Sequence, residues 1–64
     1  MNEVKTAVKE AELLIEEVNT ILNKAIANRE DNSEFDRKQL RKIRDENINT
    51  YLLIQKMELV GLLE

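Results

Sequence analysis

The chain has no cysteine, histidine, proline or tryptophan, and it carries one glycine, Gly61, and two aromatic rings, Phe35 and Tyr51. Without cysteine and histidine there are no disulfides, thiolate nucleophiles, imidazole bases or customary zinc and copper ligands. Cysteine usage therefore leaves the redox compartment open. Two rings do not make the aromatic ladder on which single-stranded nucleic acid stacks. Long apolar runs are also missing: none approaches the ~20 residues that span a bilayer. The stretch MNEVKTAVKE is amphipathic and mixed in charge, so it is not expected to be a signal peptide. A cytoplasmic protein without cofactor, metal or membrane partner is the expectation.

What remains is rich in Ala, Leu, Ile, Glu, Lys, Arg and Asn, a helix-forming composition. From Val4 the apolar positions Val8, Ala11, Ile15, Val18, Leu22 and Ala25 follow at alternating steps of four and three, with Ala7, Leu14 and Ile21 beside them at intervals of seven. This is the widened heptad face of a bundle helix. It predicts a first helix over about residues 3–28. The pattern stops at REDNSEFD, where Asp, Asn and Ser favour local side-chain bonds over helical continuation. Ser33 followed by Asp36 has the spacing of an N-cap signature. A loop over about 29–33 and a second helix over about 34–60 follow, with Gly61 suited to the left-handed residue after the last turn. A connection this short makes the helices antiparallel neighbours. The fold class is all-α, an antiparallel two-helix hairpin in one domain.

Leu40, Ile43, Ile54 and Met57, interrupted by Asn47 and Thr50, form the stripe of helix 2 expected to face helix 1. Pairing the helices about the turn sets Leu40 against Leu22 and Ala25, Ile54 against Ala11 and Met57 against Val8, large against small. A second series, Ile48, Leu52, Gln55, Leu59 and Leu62, lies about 130° away at ~100° per residue. Leu53, Val60 and Leu63 widen it. Tyr51 lies on the ridge between the stripes, at the expected subunit boundary. Helix 1 of the same chain cannot cover both stripes, and an uncovered apolar face marks an interaction surface.

Charge is uneven. The net charge is −3, yet RKQLRKIR, residues 37–44, holds five bases and no acid. Arg37, Arg41 and Arg44 share one helical face, with Lys38 and Lys42 beside it. Within one hairpin they lie level with Asn23 and Lys24 and with no carboxylate, so they are expected to lack an internal counterpart. In a second copy laid antiparallel, loops at opposite ends, they come level with Glu3, Glu10, Glu12 and Glu16 of that copy. Apolar burial then supplies affinity and charge selects orientation. The expected assembly is a homodimeric, antiparallel four-helix bundle. Its outline resembles the plasmid-encoded Rop dimer in architecture, with no shared motif, and so implies a fold and no activity.

The same five bases could meet a phosphate backbone, which makes RNA or DNA an alternative partner. The acidic loop, Glu30, Asp31, Glu34 and Asp36, lacks the ligand spacing and glycine of a calcium loop. Glu12 and Glu16, one turn apart, read as surface carboxylates. Asn47 reads as a residue that fixes register. No enzyme is expected. The functional expectation is a regulator, adaptor or inhibitor that dimerises and contacts a further protein, with a hetero-oligomeric subunit as the other alternative.

Overall fold

The computed structural model describes residues 3–62. They form two helices, α1 (Glu3–Ala27) and α2 (Glu34–Leu59), with no strand among them. The helices pack as a hairpin.

Polar side chains organise the turn. The Asn28 amide donates to Asp31 Oδ2 at 2.9 Å while Asn28 Oδ1 accepts from the Asp31 N–H at 3.2 Å. Asn32 donates its side-chain amide to the Ala25 carbonyl, 3.0 Å, which also accepts the Asn28 N–H at the end of α1. Ser33 is the N-cap of α2, its hydroxyl accepting from the Asp36 N–H at 3.1 Å. At the other end, Gly61 takes φ 73°, the Gly61 N–H donates to Glu58 O and the Leu62 N–H donates to Met57 O. These are the two bonds of a Schellman closure, and the positive φ is why glycine stands there. Replacing Ser33 by Ala leaves the Asp36 N–H without its acceptor; thermal unfolding is expected to show a loss of about 1 kcal/mol, largely recovered by Ser33→Asp.

The molecule is a thin rod of 47 × 18 × 11 Å with a radius of gyration of 14.7 Å. A compact chain of this length would have ~11 Å. No hydrophobic residue is buried among those described. The chain exposes 5216 Å², whereas a compact monomer of its mass exposes ~4,200 Å².

The seam between the helices is rotated from the expected one. On α1 the half-buried positions are Val8, Ala11, Ile15, Asn19, Leu22, Ala25 and Ile26, and Glu12 is buried to 9% exposure. On α2 they include Arg37, Leu40, Arg44, Asn47, Tyr51, Ile54, Gln55 and Met57. The line of contact on α2 thus passes between the two apolar stripes, along the ridge that carries Tyr51. Ile43, expected in the seam, is 53% exposed, and Leu14 and Ile21 on α1 stand out at 60% and 65%. The register is nevertheless the anticipated one to within a turn. Asn47 Nδ2 donates to Ile15 O at 3.0 Å and Arg37 Nε donates to Ile26 O at 2.9 Å.

Candidate functional site

Two outward sides of the hairpin follow from this rotation. Because the helices run antiparallel, the side of α1 bearing Glu12, Glu16 and Asn23 is continuous with the side of α2 bearing Ile48, Leu52 and Leu59. A groove of about 180 Å³ lined by Ile15, Glu16, Asn19, Ile48 and Tyr51 runs along it. This volume is below that of ordinary small-molecule sites, ~300–1,000 Å³. The opposite side carries Leu14, Val18 and Ile21 from α1 and Ile43 from α2.

The first side is stitched by polar bonds. Arg44 Nη1 donates to Asn23 Oδ1 (3.3 Å), Tyr51 Oη donates to Glu16 Oε1 (3.4 Å) and Gln55 Nε2 donates to Glu12 Oε2 (3.3 Å). Tyr51 and Gln55, expected at an outer interface, are therefore turned toward α1 of their own chain. Removal from water and the nearby Glu16 carboxylate push the Tyr51 phenol above its ordinary pKa. The remaining members of the expected interface do face outward. Ile48 is 36% exposed and Leu59 is 85% exposed, with Leu52 and Leu62 between these values. Leu53 and Val60 are exposed as well, and Leu63 lies outside the described residues.

The arginines are not without internal counterparts. Arg37 Nη1 and Arg41 Nη2 both reach the Glu34 carboxylate, at 2.9 and 2.7 Å, and Arg44 pairs with Asp45 at 3.3 Å. The counter-charges come from α2 itself, not from α1. The bond from Arg41, with Arg37 behind it, holds Glu34 below the ordinary carboxylate range. Arg37 is further occupied by the Ile26 carbonyl. Lys38 and Lys42 are exposed. The basic run is thereby divided into ion-paired arginines and two outward lysines.

Glu12 corrects the reading of the α1 carboxylates as surface groups. It is only 9% exposed, and its Oε1 has no hydrogen-bond donor. Across the seam stands the Glu58 carboxylate. A hydrogen bond between the two requires a proton, and this contact, followed by loss of water and mutual repulsion, raises the Glu12 pKa; Lys9 opposes the shift. The signal in the sequence was positional: Glu12, Glu16 and Asn23 fall on one side of α1 and meet Gln55, Tyr51 and Arg44 of α2.

Among the described residues, no group of three or more acidic side chains is arranged to hold a metal ion, and no helix is long and apolar enough to cross a membrane. No protein-family model, curated protein or solved structure matches the chain.

Proposed function

We propose that this chain is a non-enzymatic interaction module that associates with itself and acts by protein contact, as a regulator, adaptor or inhibitor. The observation that carries this reading is the lack of any buried hydrophobic residue among the described residues, although both helices are formed. Burying one Leu or Ile contributes ~1.5–3 kcal/mol. A hairpin that leaves Leu14, Ile21, Ile43, Leu52 and Leu59 wet forgoes most of what a domain of this size can gather. The excess of surface over a compact monomer, ~1,000 Å², is close to the ~800 Å² that each partner gives up in a standard interface. Self-association through one side leaves the other for a target protein.

Sedimentation equilibrium at micromolar concentration tests this reading. A mass of twice 7.5 kDa is expected. A folded monomer at that concentration would refute self-association. The nucleic-acid alternative draws no support from the arginines, since Arg37, Arg41 and Arg44 already meet acids of their own helix. Duplex or single-stranded affinity that falls steeply with salt and is lost in Arg41→Glu would restore it.

A further inference from the structure

Two outward sides compete for the second copy, and the spacing of residues along them separates the two. This inference rests on the self-association just proposed and asks which side serves it. The side carrying Ile48, Leu52 and Leu59 is bordered on α1 by Glu12, Glu16 and Asn23, whose polar groups are committed to Gln55, Tyr51 and Arg44. The opposite side has no ionisable side chain at its heptad positions: Ala7, Ala11, Leu14, Val18 and Ile21 on α1, and Leu40, Ile43, Asn47, Thr50, Ile54 and Met57 on α2.

We propose that a second copy of this chain covers the Leu14, Val18, Ile21 and Ile43 side, related by a two-fold axis and with its loop at the opposite end. Turned about that axis, α1 meets α1 of the second copy in layers Ala7 with Ile21, Ala11 with Val18 and Leu14 with Leu14. Each small residue faces a large one, as interdigitated packing requires. α2 meets α2 in layers Leu40 with Met57, Ile43 with Ile54 and Asn47 with Thr50, apolar with apolar and polar with polar. The two sets were read independently, and they need one common axis. The α1 layers centre on Leu14 and the α2 layers centre beside Ile48. The hairpin's own register makes these positions level, because Asn47 bonds Ile15 O and Arg37 bonds Ile26 O.

The central polar layer supplies one hydrogen bond across the axis from each Asn47. Asn47 Nδ2 spends one hydrogen on Ile15 O and keeps a second. Thr50 Oγ1 donates to Glu46 O and keeps its lone pairs, so it accepts that second hydrogen from across the axis. Loops at the same end would instead set Leu14 level with Asn47 and Thr50 of the second copy, burying their polar atoms against an aliphatic side chain. At the rim Glu3 meets Lys24, and the like-charged Glu10 and Glu17 meet in solvent, where salt screens them.

Leu14 is the residue that faces its own copy, which gives a charge-swap test. Leu14→Glu and Leu14→Lys are each expected to weaken the dimer about 1,000-fold, since two buried leucines are lost per dimer. Mixed together, the two variants are expected to form a one-to-one heterodimer, read by sedimentation and native mass measurement. Leu52→Glu is expected to leave the dimer intact. If the Leu14 variants stay dimeric, or dissociate and do not rejoin on mixing, the assigned face or its axis is wrong. If Leu52→Glu dissolves the dimer and Leu14→Glu does not, the stitched side is the interface, and self-association itself still stands. Only a monomeric parent chain removes both.

Discussion

Tenfold dilution is expected to lower the thermal midpoint of this chain by about 5 °C, and the shift to repeat with each further tenfold step. If the hairpin, with no hydrophobic residue buried among those described, draws its stability from the proposed association, folding and binding are one equilibrium. Each tenfold change in concentration is worth ~1.4 kcal/mol to a dimer. Divided by the unfolding entropy of two 64-residue chains, at ~2.1 cal/mol/K per residue, this gives the stated shift. Circular dichroism at a series of concentrations measures it. A midpoint independent of concentration would mean that the isolated hairpin holds itself together, in conflict with its 5216 Å² of exposed surface.

The second large effect concerns Glu12. Glu12→Gln is expected to raise the midpoint at neutral pH by several degrees, measured at fixed concentration. The glutamine carbonyl still accepts from Gln55, and its amide donates to Glu58, so the atom that has no donor in the parent is replaced by one that needs none. The sign of the pH dependence follows from linkage. The folded-state pKa of Glu12 lies above its ordinary value of 4.5, so between the two values the folded chain binds more protons than the unfolded one. Stability falls as pH rises through that window, and acidification restores it. Glu34 acts in the opposite sense, because its folded-state pKa lies below 4.5 and the stability it contributes disappears as pH falls through that lower window. The parent is therefore most stable in mildly acidic solution, with Lys9, Glu16 and Glu58 as the charges surrounding the Glu12 carboxyl. In Glu12→Gln the alkaline side of this profile flattens. An unchanged profile would show that Glu12 is hydrated in solution.

Much of the hairpin is legible in the residues. The heptad of α1, the Ser33 cap and the glycine that closes α2 each follow from a local rule whose physics does not depend on the rest of the chain. Register was legible for a similar reason, since a short turn leaves little freedom to slide. The rotation of the seam was not. The apolar spacing centres the contact on the Leu40, Ile43, Ile54 and Met57 stripe, whereas α2 also turns Tyr51, Gln55 and Arg44 toward polar partners on α1. Three pairs that satisfy one another outweigh a stripe that a second copy can cover equally well. Arg37 and Arg41 show the same within one helix: their counter-charge is not on α1 but on α2 itself, Glu34, one turn from Arg37 and two turns from Arg41.

Two bonds that set the register, from Asn47 and Arg37, end on main-chain carbonyls of α1. A carbonyl belongs to every amino acid, so no ordinary substitution at Ile15 or Ile26 deletes the acceptor. These two anchors of the alignment therefore depend on side chains of α2 alone, and a substitution at Ile15 or Ile26 that keeps α1 helical leaves both in place.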